Sequence, residues 1–438
     1  MLFSQVWSLG LLCAYLAIPF LFKRIKITST TASWIIILGV AFTVRFLPAM
    51  VMPAGAGYDI ESYSIVGTLV RDGKDVYTSP EAEKRHPYLP LQMYWSALSS
   101  RLANNDYLAF IKIVKIEPIL ADVAIALVIF ASLKRTFPLE IAMLGGMLYA
   151  VNPISIYVSA YHGQFDATAA LAVLLALYWL TNLPWLSGLI LGVGILLKSW
   201  PVLALPSLLM GIKIWKNKIL FLFLAGLILL VGVLFYSSLF DAKFTTVIER
   251  AISYNSGIGI WGYTYFFKLL AYLQPAWSDL FGWLTNFGRF ITLAGLAAAW
   301  WIRARKESPQ EGILTILVAF FAISHAFSIQ YLSWLIPFAI LSAARYTRRD
   351  LKWLTFYTIT AFLYMFIAYN TLVLQMTITK VLPWPQADLL IIIPAGIPAW
   401  IVCIAWAIER VFKPKLDQQT LGLEVAEDHP SSQTLQSV

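Results

Sequence analysis

Apolar runs long enough to cross a bilayer recur along most of the chain, separated by short polar segments. A membrane helix needs about 20 apolar residues, and its backbone polar groups must be satisfied within the segment. On that measure the pattern predicts spans at 4–22, 33–52, 107–133, 138–158, 167–182, 184–197, 200–212, 219–239, 283–302, 312–328, 331–344, 352–369 and 388–408. The short ones, notably 184–197, 200–212 and 331–344, read as broken or re-entrant pieces, and Pro201, Pro206 and Pro337 suit such breaks. The expected fold is an all-α polytopic membrane bundle of about 11–13 helices.

Three connectors are longer than the rest: about 53–106, 240–282 and 370–387. The first is too long for a plain link and is expected to carry function. Its IESYSIVGTLVRDGKDVY stretch alternates apolar and charged positions, as a short amphipathic helix on a membrane surface would. The second is rich in aromatics and glycine. Beyond residue 415 the chain turns polar, so 1–415 read as one membrane domain and 416–438 as a disordered tail. The first apolar run is followed by KRIK and lacks a small-residue cleavage site, which reads as a retained span rather than a cleaved signal peptide.

Composition agrees with a lipid solvent: of 438 residues 60% are hydrophobic and 13% charged, with mean hydropathy +0.74. Charge then sets the orientation. The net charge of +9 comes from runs such as KRIK (23–26), KR (134–135), KIWKNK (213–218), RARK (303–306), RYTRRDLK (345–352) and ERVFKPK (409–415). Basic runs between spans favour the cytoplasmic side rather than a nucleic-acid partner. All six fall on one side, so the N-terminus and the three long connectors are expected outside and the C-terminus inside. Cys13 and Cys403 lie in apolar segments at opposite ends of the chain, which argues against a disulfide framework or a zinc site.

Ionisable side chains inside a membrane are costly and invite functional readings. Just after the second span, GYDIESY places Asp59 and Glu61 one residue apart. Arg45 lies within that span. Lys115 and Asp122 are seven residues apart and share a helix face. His162, Gln164 and Asp166 sit where the fourth span ends, with His162 and Asp166 at i, i+4 if the helix continues. Lys198 occupies an apolar hairpin beside Pro201, where an ammonium needs an anion such as a phosphate. His325, Gln330 and Tyr331 mark a short outward junction. The plainer alternative is that these groups pair with one another and hold the bundle together. Read together, a carboxylate pair facing cations and donors suits a phosphate-bearing lipid substrate: the carboxylate meets a nucleophile, the cations a phosphate leaving group.

Four blocks, from Arg45 through YDIESY to PYLPL, KIEPILAD, NPISIYVSAYHGQFDATAA with LLKSWPVLALP, and SIQYLSWLIPF, resemble the GT-C glycosyltransferases that use polyprenyl-phosphate sugars. The chain is most similar to the catalytic subunit of the first mannosyltransferase of GPI-anchor synthesis and its prokaryotic relatives. The resemblance reaches from about residue 40 to 340. It departs from the family in reading D-x-E where the family has D-x-D, which leaves metal use open.

The resemblance implies an inverting transfer of a hexose, mannose first, from a polyprenyl-phosphate donor to a lipid-linked or glycolipid acceptor on the extracytoplasmic face. Asp59 would be the general base, and Glu61 would serve acceptor positioning or, with Asp59, a divalent cation (Mg or Mn). The donor phosphate and substrate would meet Arg45, Lys115, His162, Asp166, Lys198, His325, Gln330 and Tyr331, with Lys198 and His325 foremost. The expected partners are the two lipid substrates and membrane lipid, with no nucleic acid. The expected location is a bacterial plasma membrane, or the ER membrane with a lumenal site in a eukaryote. A transporter or flippase of a polyprenyl-linked sugar is the competing reading, weakened by the lack of two related halves.

Overall fold

The computed structural model describes residues 2–22, 28–52, 57–253, 259–346, 348–374 and 384–412. The basic run 23–26, residues 375–383 of the third long connector and the polar tail from 416 lie outside these residues. The protein is an all-α polytopic membrane protein. Among the described residues six helices are long and apolar enough to cross a bilayer: Gln5–Phe22, Thr30–Val51, Leu139–His162, Trp215–Phe240, Asp350–Asn370 and Asp388–Phe412. Five shorter apolar helices, Asp166–Trp179, Pro184–Leu197, Trp200–Gly211, Pro309–Ile323 and Ile329–Ala344, fill the places between them. The breaks expected at Pro201 and Pro206 are present: a 3-10 turn, Trp200–Ala204, leads into the short helix Leu205–Gly211. Among the described residues the only strand pairing is two residues long, Gly259 opposite Phe327 and Ile260 opposite Ala326.

Burial separates the inner helices from the lipid-facing ones. The Leu139–His162 segment is 89% buried, whereas the Trp215–Phe240 helix is 22% buried. The latter therefore presents Leu220, Phe223, Leu230 and Phe235 outward, as a helix in lipid does. It packs closely on helix Pro184–Leu197 because Gly188 and Gly192, one turn apart, face it. A Cβ on either would lie 2.5 Å from the Phe221 carbonyl oxygen or 2.7 Å from that of Ala225. Small residues at this spacing let membrane helices approach backbone to backbone.

The chain crosses back and forth between two ends. At one end Arg135, Tyr178, Thr181, Ser308 and Gln310 line a cavity of about 320 Å³, and Gly211 abuts Pro309 and Leu180. The basic segments after residues 134, 211 and 302 therefore share this end. Beside them a buried ion network joins Arg410 to Glu311 (2.7 Å) and Asp350 (3.4 Å). The opposite end carries the long first connector. That connector folds as helix Gly57–Arg71, a 3-10 turn Pro80–Ala82 and helix Leu91–Ala103. The two helices pack so tightly that Gly67 leaves no room for a side chain against the Ser96 carbonyl. The connector is tied to the bundle by Tyr236, whose hydroxyl donates to Asp75 Oδ1 (2.6 Å) and accepts from the Val76 N–H (2.8 Å).

Candidate active site

Helix Gly57–Arg71 carries Asp59 in its first turn, where a carboxylate suits the positive end of the helix dipole. On a helix, residues two apart point to nearly opposite sides. Glu61 accordingly faces away from Asp59 and pairs with Arg85 Nη1 (3.2 Å), with half of its side chain exposed. Arg85 in turn covers the Tyr58 ring and reaches Ser62. The two acids do not form a common pair, and among the described residues no three His, Cys, Asp or Glu side chains converge as a metal site.

Asp59 instead looks into the bundle. Its Oδ2 accepts hydrogen bonds from His162 Nε2 (2.7 Å) and Gln164 Nε2 (2.8 Å), while 29% of the side chain stays exposed. Burial pushes the carboxyl pKa up, but the interactions with His162, Gln164 and Lys198 outweigh it and hold the group below the usual carboxylate range. Asp59 is therefore ionised at neutral pH.

The segment that supplies its partners has an unusual turn. Residues Tyr157–His162 form a π-helix, and the N–H groups of Gly163 and Gln164 both reach back to the Val158 carbonyl. Gly163 then adopts a left-handed conformation, φ 85°, and a new helix begins at Asp166. His162 and Asp166 therefore do not share a continuous helix. The turn instead sends His162 and Gln164 to Asp59, and Asp166 to a second cluster. Widened turns of this kind recur at functional sites.

In that second cluster Lys198 donates to Asp166 Oδ2 (2.7 Å), and Trp334 Nε1 donates to Asp166 Oδ1 (2.5 Å). The anion beside the hairpin lysine is thus a carboxylate of the protein. The ammonium sits among the rings of Phe165, Tyr88 and Tyr331, 4.8, 5.2 and 5.8 Å from their centroids. An ammonium over aromatic faces gains cation–π attraction. The Phe165 ring also meets Tyr63 (5.9 Å between centroids), which bonds Gln164, so the two clusters adjoin. Lys115 lies alongside Gly163, with its chain 3.2 Å from where a Cβ there would stand, at the junction between helices Tyr107–Val114 and Ile116–Lys134.

Other expected site residues lie elsewhere. Every N–H of the Arg45 guanidinium is engaged inside the protein: Nε to Asp122 (2.9 Å), Nη1 to the carbonyls of Ala41 and Ala150, Nη2 to the Tyr149 carbonyl and Ser155. Asp122 also accepts from Tyr149 (2.5 Å) and Ser159 (2.6 Å). This fully buried knot ties three helices together and leaves Arg45 no donor for a phosphate. It also takes Asp122 away from Lys115, whose company the seven-residue spacing had suggested. His325 packs on Gly288 and lies 3.3 Å from Thr292; among the described residues no hydrogen bond or ion pair joins it to Asp59 or Lys198. Gln330 is buried and accepts from Ser328.

The structure adds residues that the sequence did not single out. Tyr63 donates to Gln164 Oε1 (2.5 Å) and Tyr369 lies against His162 Nδ1. Tyr88 and Trp334 complete the Lys198 cluster, and Glu117, which accepts from Thr168, lies near Tyr63. Tyr88, Glu117 and Trp334 stand within motifs already notable in the sequence. Tyr369 sits in an apolar span with no local signal.

Residues 115–328, just under half of the chain, match the family model described as glycosyltransferase family 87. The match supports a membrane glycosyltransferase. It takes in Lys115, His162, Gln164, Asp166 and Lys198 and begins after Asp59. No curated protein matches the chain.

Proposed function

We propose that the protein transfers a hexose, mannose in the first instance, from a polyprenyl-phosphate donor to the hydroxyl of a lipid-linked or glycolipid acceptor on the extracytoplasmic face. The reading extends the resemblance to the first GPI-anchor mannosyltransferase and the family 87 match to a particular reaction. The observation that carries it is the Asp59 carboxylate: ionised, partly open, held by one oxygen and within the field of Lys198. A general base must be deprotonated and within reach of the hydroxyl it activates.

In this reaction the acceptor oxygen attacks the anomeric carbon and its proton passes to Asp59. The bond from that carbon to the phosphate oxygen breaks, and its electron pair leaves with the polyprenyl phosphate. Attack opposite to the leaving group inverts the anomeric centre. Lys198, whose position Asp166 fixes, would meet the charge that grows on the leaving phosphate. His325, Gln330, Tyr331 and Lys115 are candidates for holding the donor. The basic runs at the opposite end support an outward-facing site, by the excess of Lys and Arg in cytoplasmic loops. The donor and acceptor tails would rest in the membrane beside it.

The test is transfer from labelled polyprenyl-phosphate mannose to a glycolipid acceptor by the purified full-length protein. Asp59→Asn is expected to lower kcat by roughly 10²–10⁴-fold, the usual range for a removed general base. Transfer by that variant at the wild-type rate sinks the reading.

A further inference from the structure

The two donors to Asp59 share a weakness. Each can present the wrong atom: the Gln164 amide by flipping, the His162 ring by changing tautomer. An ionised carboxylate oxygen can only accept, so either error would set two acceptors against each other. Behind each donor stands a tyrosine. Tyr63 donates to Gln164 Oε1, which leaves the amide nitrogen toward Asp59. Tyr369, on the helix Arg348–Leu374, meets His162 Nδ1. A phenol that donates to Nδ1 requires the proton of a neutral imidazole to sit on Nε2, the atom 2.7 Å from Asp59.

Both hydrogen bonds end on the same oxygen, Oδ2. Among the described residues Oδ1 has no hydrogen-bond partner, so it is the oxygen left to take a proton. The chain Tyr369–His162–Asp59 spans 207 and 103 residues of sequence, so the site depends on three distant elements being docked together. His162 and Tyr369 are buried, at 3% and 6% exposure, so water does not compete for these bonds.

We infer that His162 and Gln164 are positioning residues that hold Asp59 by Oδ2 and turn Oδ1 to the acceptor, and that Tyr369 sets the His162 tautomer this requires. The inference rests on Asp59 as the base. Tyr369 acts only through the choice between two imidazole nitrogens, and that gives it a distinctive test. A glutamine at position 162 offers an amide N–H at about the reach of Nε2 and has no polar atom at the δ position that Tyr369 meets, so its orientation does not depend on Tyr369.

The experiment measures kcat and KM for transfer by full-length variants whose folding is followed by thermal unfolding in detergent. His162→Ala is expected to lower kcat roughly 10²-fold with KM within about two-fold, as for a group that orients a base. His162→Gln should recover activity to within about ten-fold of wild type. Tyr369→Phe should lower kcat about five- to ten-fold in the wild-type background and leave His162→Gln without further loss, a coupling that only a double-mutant comparison reveals. A Tyr369 that serves packing alone would cost the same factor in both backgrounds, and that result overturns the inference. So does wild-type kcat in His162→Ala. If His162→Ala does not fold, the Tyr369→Phe pair still decides. Loss of the base reading is separately visible, because Asp59→Asn would then stay active while the positioning variants lose their meaning.

Discussion

At the scale of single residues, chemistry here follows from how many of a side chain's hydrogen-bonding groups are already used. Arg45 and Lys198 are both buried cations, yet Arg45 has every donor engaged and Lys198 has one of three N–H groups on Asp166. The first therefore stabilises and the second stays available. Removing one partner of a buried ion pair typically costs about 3–5 kcal/mol. Arg45→Met should thus lower the unfolding temperature of the purified protein sharply, while whatever folded fraction remains keeps wild-type KM for the donor. Lys198 also belongs to a buried pair, so Lys198→Gln should lower the unfolding temperature too, but unlike Arg45→Met it should raise donor KM or lower kcat in the fraction that folds. His86 supplies a pH prediction. Burial between Tyr77 and Tyr88 lowers its pKa from 6.5 to about 4. An unfolded loop binds the proton near 6.5 and the folded one does not, so stability is full above that pH and falls as pH drops toward 4. The loss is about 2 kcal/mol by pH 5. Comparing thermal unfolding at pH 7.5 and pH 5 should show a larger drop in wild type than in His86→Phe. Equal drops would mean that other groups carry the acid sensitivity.

At the scale of elements, helix positions were legible and turn geometry was not. The segments 184–197 and 200–212 appear in the structure within a residue of where hydropathy put them, because lipid leaves the backbone few alternatives to helix. The stretch after residue 156 defeated the same logic. A regular helix through HGQFD would have aligned His162 with Asp166, but the π-turn and the left-handed Gly163 separate them. Hydropathy carries no information about either feature. Adjacency in sequence left Glu61 either acceptor positioning or a cation shared with Asp59; helix Gly57–Arg71 turns Glu61 to Arg85 and Asp59 to His162. Tyr369 was invisible because its partner is 207 residues away. The turn is open to test. A Cβ at Gly163 would stand 2.7 Å from Ile60 Cδ1 and 3.2 Å from Lys115, in a backbone region that disfavours side chains. Gly163→Ala should therefore displace His162 relative to Asp59 and lower kcat by roughly ten-fold or more, as misplacement by about 1 Å does, with the protein still inserted and folded by thermal unfolding. Unchanged kcat would show that the turn tolerates the shift.

Across the whole molecule, the two ends differ in what they expose. The first connector, 53–106, carries seven acidic and five basic residues, so it offers little of the positive charge that retains a loop in the cytoplasm. The opposite end gathers Lys134, Arg135, Lys213, Lys216, Lys218, Arg303, Arg305 and Lys306 on short links and the helix ends that flank them, the setting in which Lys and Arg fix orientation. The contact of Gly211 with Pro309, and the cavity that Arg135 lines with Ser308 and Gln310, show that three of these links meet at one end. A single orientation then satisfies all of them, and in the proposed function it is the one that sets Asp59 outside. Glu83, on a turn, and Lys216, in the first turn of helix Trp215–Phe240, are both exposed at opposite ends, so each can carry a reporter thiol once Cys13 is replaced by serine; Cys403 is buried. In intact cells a membrane-impermeant maleimide should label Glu83→Cys and reach Lys216→Cys only after permeabilisation. The reverse pattern would put Asp59 in the cytoplasm, where an acceptor and donor displayed on the outer leaflet could not reach it, and the proposed reaction would have to move to the other face or be abandoned.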